Sequence, residues 1–343
     1  MLMRKTRLAL VLAGAFCVAG AAQAALLFDR NGAAAGGLIS ADAFDWGPTT
    51  LLAKDINTAI LGFERGTCGQ AGQGACAFQV LTHAKLIGFN NAATGQYEGL
   101  NNNLGEITMV AKFDSKVAGA VAGNAITFET TGGGWVEFYY SSTANSNSLT
   151  GANFNDGMLI GRLTGVSNLF GLPAGGFFAL NGQGGPLDLL APNDYPGQLT
   201  LAGFGSSDTL RFGTTGVALD PAFFKTDLAS FSIVYENLSL GLPFSSVNPS
   251  DCFNDTQAVA VGTSGLATQC QDVHLSGPYA IQGADGGYRP DIDLVNIGGD
   301  GRDYVVQTDP NSPVTGVPEP GTLALMGLAI AGLGLSARRR KAH

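Results

Sequence analysis

The stretch Gly132-Gly133-Gly134-Trp135-Val136-Glu137-Phe138-Tyr139-Tyr140 carries the clearest signal of local structure in this chain. Three consecutive glycines disfavour a helix, because each loses much backbone freedom when it is ordered. The aromatic and β-branched residues that follow them favour an extended backbone. We therefore predict a strand over residues 135–140.

Similar short apolar segments, separated by Gly, Asn and Pro, recur along the chain. In Phe231-Ser232-Ile233-Val234-Tyr235-Glu236 the apolar residues alternate, so that Phe231, Ile233 and Tyr235 share one face. Further strands are predicted at 78–89, 107–113, 125–128, 158–163, 199–204, 209–212 and 304–307, and helical periodicity is poor except at 50–60. The pattern predicts an all-β fold: an antiparallel β-sandwich or jelly roll with long Gly/Asn-rich loops, as one large domain or as two sheets sharing a core.

The first 24 residues have the pattern of a secretory signal peptide. Arg4, Lys5 and Arg7 form a basic start, residues 8–20 are apolar, and Ala22-Gln23-Ala24 is a small-residue cleavage site. The apolar stretch is too short for a stable spanning helix. We expect the mature chain to begin at Ala25 and a β-rich extracellular domain to cover residues 25–315.

Residues 316–343 form a second targeting segment. The residues Pro318, Glu319 and Pro320 precede an uncharged run at 321–337 and a basic stop, Arg338-Arg339-Arg340-Lys341. The positive-inside tendency keeps this basic stop in the cytoplasm. As a helix the run would extend about 26 Å, against a hydrocarbon core of about 30 Å. We predict a short hydrophobic transmembrane helix, with residues 311–316 as a flexible linker before it.

This arrangement resembles the PEP-CTERM sorting signal of Gram-negative bacteria that make exopolysaccharide. The resemblance rests on Pro318-Glu319-Pro320, on the Gly/Leu/Ala-rich segment 323–335 and on the terminal Arg/Lys cluster. It implies the secretion translocon and an exosortase as export partners, the exosortase being a membrane-embedded cysteine protease expected to cut near the motif. The implied location is the cell surface or extracellular matrix, with transient anchoring in the inner membrane. Permanent single-pass anchoring is the alternative.

The body between the two targeting segments is strongly acidic. It keeps 11 of the 18 Lys and Arg residues and 26 of the 27 Asp and Glu residues, so its net charge is −15. Such a charge repels nucleic acid and anionic lipid, so we expect no nucleic-acid partner.

Four cysteines remain in the body, at Cys68, Cys76, Cys252 and Cys270. An exported protein meets an oxidising compartment, which favours disulfides. Of the three connectivities that four cysteines allow, we prefer the local pairs 68–76 and 252–270. A metal site is the competing interpretation, but the spacings are not CxxC and no histidine adjoins them.

The sequence offers little support for catalysis. Before the tail there are only two histidines, of which His83 is expected to face solvent from a strand and His274 to lie in a loop. No nucleophile elbow, HExxH motif or P-loop is present. A pair of carboxylates for glycoside cleavage is left open, the acids in or near predicted strands being Glu98, Glu106, Glu129, Glu137 and Glu236. We expect no enzymatic activity.

Two ligand-binding features are also considered. An Asp- and Gly-rich stretch supplies weak calcium candidates at Asp291, Asp293, Asp300 and Asp303, with a solvated acidic loop as the alternative, and no cofactor is expected. Exposed aromatic rings could form a platform for sugars. The candidates are Trp46, Trp135, Tyr139, Tyr140 and Tyr195, although core packing is favoured for most of them.

The body also resembles the flocculation-associated subgroup of PEP-CTERM proteins. The similar segments are residues 135–140, Asn153-Phe154-Asn155-Asp156-Gly157, and residues 243–250 and 304–309. This resemblance implies a non-catalytic matrix protein, retained in exopolysaccharide, that promotes floc or biofilm formation. The alternatives are a secreted, lectin-like carbohydrate-binding module, with or without calcium, and a glycan hydrolase.

Overall fold

The structure is a computed structural model that describes residues 24–32, 36–101, 103–121, 125–131, 133–148, 153–164, 166–167, 175–183, 200–206, 211–212, 217–239, 260–264 and 304–317. The predicted signal peptide, apart from Ala24, and the predicted tail helix lie outside these ranges.

Eighteen strands and one α-helix form in these residues. The strands are β1 (Leu26–Asp29), β2 (Leu38–Trp46), β3 (Thr49–Lys54), β4 (Ala77–Asn91), β5 (Gln96–Gly99), β6 (Glu106–Val121), β7 (Ala125–Thr130), β8 (Trp135–Ser141), β9 (Met158–Thr164), β10 (Val166–Ser167), β11 (Gly175–Gln183), β12 (Thr200–Ser206), β13 (Arg211–Phe212), β14 (Val217–Leu219), β15 (Leu228–Phe231), β16 (Val234–Ser239), β17 (Tyr304–Thr308) and β18 (Asn311–Gly316). The helix, α1, is Ile56–Glu64.

Most of these strands belong to one antiparallel sheet. Its order is β14-β9-β8-β6-β7-β11-β12-β16-β17-β3-β4-β2-β18-β15, with β1 beside β2 and β5 beside β4, while β10 and β13 pair separately. The sheet curls back on itself because β4 pairs with β6 through residues 77–85 and with β3 through residues 79–82. The prediction of an all-β, antiparallel body is confirmed, and its layers are parts of one curled sheet.

The predicted strands appear where the local patterns placed them, with one subdivision. Of the strand predicted at 209–212, only residues 211–212 are described, and they form β13. The stretch 231–235 is split between β15 and β16, although Phe231, Ile233 and Tyr235 are all buried as expected. The split falls at Ser232, whose backbone N–H donates to the carbonyl of Pro313 at 3.2 Å. Here the chain passes from pairing with β18 alone to pairing with β12 and β17 as well.

The helical periodicity noted at 50–60 corresponds to a helix only in its second half. Residues 49–54 form β3, which is hydrogen-bonded to β17 on one side and β4 on the other. The helix α1 begins only after Asp55, whose φ of 64° turns the chain out of the strand. Its Ile56 and Ala59 are buried against the sheet. Pairing on both sides outweighs the weak helical periodicity of the preceding residues.

The flexible linker predicted at 311–316 is wrong, because these residues form β18. This strand lies between β2 and β15, with Ser312 opposite Phe44 and Val314 opposite Phe231. Val314 is 1% exposed. The turn-like composition Asn-Ser-Pro-Val-Thr-Gly is overridden by two neighbouring strands.

Two hydrophobic cores form on opposite faces of β8. The larger one, here called the inner core, includes Val136 and Phe138 of β8. Trp46 stacks on Phe138 at 6.0 Å between ring centroids, and Phe231 meets the same ring edge-on at 5.1 Å. The smaller one, the second core, comprises Val110, Trp135, Tyr139, Phe154 and Leu159. Because both faces of β8 are covered, its sequence is almost continuously apolar.

Candidate functional site

Strand register brings a row of polar residues onto the face of the second core. His83 of β4 lies opposite Val110 of β6, Val110 lies opposite Glu137 of β8, and Glu137 lies opposite Arg162 of β9. Residues directly opposite one another in an antiparallel sheet point to the same face. Three ionisable side chains that are far apart in sequence therefore share one surface of the sheet.

Glu137 is the fully buried carboxylate of this row. Its Oε1 accepts a hydrogen bond from Arg162 Nε at 2.7 Å, and its Oε2 accepts one from the Tyr139 hydroxyl at 2.5 Å. Burial, and after it the negative charge of Glu137, raises the pKa of the Tyr139 phenol. Each carboxylate oxygen is thus held by a donor of the protein itself, which suits an internal brace better than a general acid or base.

His83 is buried, so the prediction that it faces solvent is wrong. Its ring meets the Phe154 ring edge-on, with 4.3 Å between centroids. Burial lowers the pKa of His83 to about 3, against a smaller opposing effect from a hydrogen bond with the backbone of Ser148. The imidazole is therefore neutral at physiological pH. Ser148 and Phe154 therefore cover His83, which the local sequence predicts to be exposed to solvent.

Glu106, at the start of β6, binds the loop residues Asn145 and Ser146, which precede Ser148. Its Oε1 accepts the backbone N–H groups of Asn145 and Ser146, both at 2.8 Å, and its Oε2 accepts the Ser146 hydroxyl at 2.7 Å. Lys85 Nζ lies 2.9 Å from Oε2. A carboxylate with this many donors is committed to holding the loop in place.

The other carboxylates considered for glycoside cleavage do not join these two. Glu129 forms a surface ion pair with Lys116 at 2.9 Å, and Glu98 accepts a hydrogen bond from the Asn91 amide. The side chain of Glu236 lies outside the described residues. In the part of the chain that the structure describes, no group of three His, Cys, Asp or Glu side chains could hold a metal ion. The calcium candidates Asp291, Asp293, Asp300 and Asp303 fall outside that part.

The aromatic residues considered as a sugar platform are mostly internal. Trp46 and Tyr139 are fully buried and Trp135 is 7% exposed, so none of these three rings has an exposed face on which a sugar could stack. The Tyr140 hydroxyl donates to the carbonyl of Leu104 at 3.1 Å, and its ring packs on Phe223. Tyr195 lies outside the described residues. Because the chain has only two tryptophans, a tryptophan platform is excluded.

The predicted disulfide between Cys68 and Cys76 is confirmed. It closes an exposed loop that follows α1, and Cys76 itself is buried beside the inner core. The second predicted pair, Cys252 with Cys270, lies outside the described residues.

Sequence reasoning missed the row formed by His83, Glu137 and Arg162. One signal was present: Glu137 and Arg162 are opposite charges within two otherwise apolar strands that follow one another in the chain. A charge inside an apolar strand needs a partner when it is buried. The sequence contains no comparable sign that His83 is covered.

The end of β18 is the point where the folded body meets the predicted sorting motif. The backbone N–H of Gly316 donates to the carbonyl of Ala24 at 2.7 Å, and that of Val317 donates to the carbonyl of Asp227 at 2.8 Å. The Val317 side chain is 43% exposed. Backbone pairing therefore continues to the residue before Pro318.

A family model described as the PEP-CTERM protein-sorting motif matches residues 316–341. No curated protein and no solved structure matches the chain. The motif indicates an extracellular protein that is sorted by an exosortase and anchored in a membrane only transiently. No helix of the described residues is long and apolar enough to cross a bilayer, and the predicted tail helix at 321–337 is not among them.

Proposed function

We propose that the released body is a non-catalytic structural component of the exopolysaccharide matrix of a Gram-negative bacterium, where it promotes cell aggregation in flocs or biofilms. The sorting motif at 316–341 is the observation that carries this proposal, because it directs the body outside the cell. The acidic, Gly-rich composition of the body supports the proposal, since a negatively charged surface stays hydrated and repels other polyanions.

A non-catalytic role agrees with the use of the buried ionisable groups. Glu137 and Glu106 are occupied by donors of the protein itself, and the imidazole of His83 packs against Phe154. These groups brace the strands and the loop over the second core. A hydrolase would need at least one such carboxylate to be open to substrate.

A genetic experiment tests the biological role. Deleting the coding region should reduce aggregation and biofilm mass, and complementation with the full chain should restore both. A full-length variant in which Arg338, Arg339, Arg340 and Lys341 are all changed to Glu should complement poorly, because the basic stop is lost while the body is unchanged. Normal aggregation in the deletion strain would rule out the proposed role.

A biochemical experiment separates the proposal from a lectin or a hydrolase. The released protein should show no stereoselective retardation during affinity electrophoresis in the polysaccharide of the producing cells. It should also generate no new reducing ends in that polysaccharide. Specific retardation would favour a lectin, and new reducing ends would favour a glycan hydrolase.

The proposed function needs no cofactor. The four Asp residues suggested for calcium lie within 291–303, outside the described residues, so the test is thermodynamic. A ligand that binds the native state raises the melting temperature by mass action. Equal melting temperatures in EDTA and in millimolar calcium are expected, and a rise with calcium would contradict this part of the proposal.

A further inference from the structure

Strand β18 belongs to the interior of the body although it directly precedes the sorting motif. Val314 is part of the inner core, and the Ser312 hydroxyl accepts a hydrogen bond from Trp46 Nε1 at 2.8 Å. The Thr315 hydroxyl is 2.6 Å from that of Ser230 on β15. Removing β18 would open the edges of both β2 and β15 and leave the Trp46 indole N–H without this acceptor.

The two ends of the mature body meet at this strand. Gly316 forms an antiparallel bridge with Ala24, the last residue of the predicted signal peptide, and therefore lies directly beside Ala25. A Cβ atom built on Gly316 would lie only 2.8 Å from the carbonyl oxygen of Ala25, so this position needs glycine for a close backbone approach. The predicted first residue of the mature chain is thus adjacent to the last residues of the body.

Only a few residues separate the end of β18 from the apolar segment of the tail. Four residues lead from Val317, which is still hydrogen-bonded to Asp227, to Gly321, where the apolar run begins. A fully extended chain covers about 3.3–3.6 Å per residue, so this connection reaches at most about 14 Å. While the tail is in the membrane, the edge at Ala25, Asp227 and Val317 must stay close to it.

We propose that the tail is cut C-terminal to Val317 on an already folded body, so that β18 stays in the released protein and the edge formed by Ala25, Asp227 and Val317 faces the membrane-embedded protease. This inference rests on the exosortase processing that the sorting motif indicates. Beyond that processing, we infer that the cut does not fall within β18, that this edge of the body approaches the protease, and that folding precedes cutting.

The covalent step is the hydrolysis of one peptide bond. The C–N bond breaks, water supplies a hydroxyl group to the new C-terminal carboxyl, and the new amine of the tail fragment takes up the remaining hydrogen. No oxidant or reductant is required.

Intact-mass measurement of the released protein locates the cut. The full precursor is produced in cells with and without the exosortase, and the protein released in an exosortase-dependent manner is collected. Its C-terminal residue is expected at Val317 or beyond. A C-terminus at Gly316 or earlier would overturn the proposal, whatever the outcome of the aggregation experiment.

Hydrogen–deuterium exchange on the uncut precursor, solubilised in detergent from cells that lack the exosortase, tests the order of events without requiring release. The amide of Val317 should exchange as slowly as those of β8, because it donates to the carbonyl of Asp227 within the folded body. Fast exchange at Val317 would show that the body is not folded up to the motif before cutting, which would overturn the proposal.

A pair of fusions tests which edge faces the protease. A small folded domain placed immediately before Ala25 should slow release at least fivefold, because Ala25 adjoins Gly316. The matched control carries the same domain at Gly72, in the exposed loop closed by the Cys68–Cys76 disulfide. That loop precedes Ala77, the end of β4 opposite to the one that pairs with β2, so release should change less than twofold. Equal rates for the two fusions would contradict the assignment of the edge.

Discussion

The inner core and the second core lie on opposite faces of β8, but they bury different chemistry. The inner core is dominated by aromatic rings in edge-on or stacked contact, such as Trp46, Phe138 and Phe231. The second core borders both His83, whose ring packs on Phe154, and the Glu137–Arg162 pair. One face of the sheet is therefore stabilised mainly by burial of apolar surface, and the other depends on protonation and on polar contacts.

The chain provides one tryptophan in each core, so the two regions can be followed separately. Trp46 reports on the inner core and Trp135 on the second core. The variants Trp135→Phe and Trp46→Phe each leave a single fluorophore. Each substitution is measured in these single-tryptophan backgrounds.

The largest effect is expected from Phe138→Ala. Removing a ring packed between Trp46 and Phe231 leaves a cavity in the inner core, and such a change costs about 3–5 kcal/mol of the free energy of unfolding. Urea denaturation should show this loss equally at pH 7.5 and pH 5.5, because no titrating group is removed. The matched variant Phe154→Ala should cost less at pH 7.5, since Phe154 belongs to the smaller of the two cores. An equal cost for both would show that the two cores are not distinct.

Glu137→Leu should have the next largest effect. The change removes the carboxylate that accepts hydrogen bonds from the buried Tyr139 hydroxyl and from Arg162, and we expect a loss of about 2–4 kcal/mol. The control is Glu129→Leu, which breaks the solvent-exposed pair with Lys116 and should cost about 1 kcal/mol or less. The free energy of unfolding from urea titrations, followed through Trp135, measures both. A cost for Glu137→Leu as small as that of the control would mean that the buried brace contributes little.

The double change Cys68→Ser with Cys76→Ser is expected to cost about 2–3 kcal/mol, because the disulfide closes a short loop in the unfolded chain. The loss should be the same at both pH values, since no group of the second core is touched. Thermal unfolding with and without reductant on the parent protein gives the same comparison. A marked pH dependence of this loss would connect the disulfide loop to the second core.

The smallest effect near neutral pH concerns His83. Its pKa is lowered on folding to about 3, below the ordinary value of 6.5, so the unfolded chain binds more protons between these pH values. Stability is therefore complete above pH 6.5 and falls as the pH decreases, by about 1.4 kcal/mol at pH 5.5.

The variant His83→Gln should remove this part of the pH dependence while leaving that of the remaining groups. Urea titrations at pH 7.5, 6.5 and 5.5 measure the difference between the parent and the variant. Parallel stability curves for the two proteins would show that His83 does not titrate as a buried group.

Much of the fold follows from local sequence patterns. The glycines before Trp135 and the aromatic residues after them specify β8, and similar short patterns correctly indicate β4, β6, β9 and β17. Strand preference depends on residues that are neighbours in the chain, so it can be read without knowing the pairing. The same is true of the sorting motif, which is a linear signal, and of the Cys68–Cys76 loop, whose ends are close in sequence.

The sites depended on pairing between distant segments, which local sequence does not contain. The local sequence around His83 indicates a surface residue, because it does not show that Ser148 and Phe154 pack against the imidazole. The partner of Glu137 is likewise set by the strand register that places Arg162 opposite it.

The sequence alone determined the strand content, the C-terminal sorting motif and the acidic character of the body, because these depend on short-range composition and order. Only the tertiary structure decided that residues 311–316 form β18 within the sheet. That decision rests on hydrogen bonds to β2 and β15, whose partners lie about 85 to 270 positions earlier in the chain.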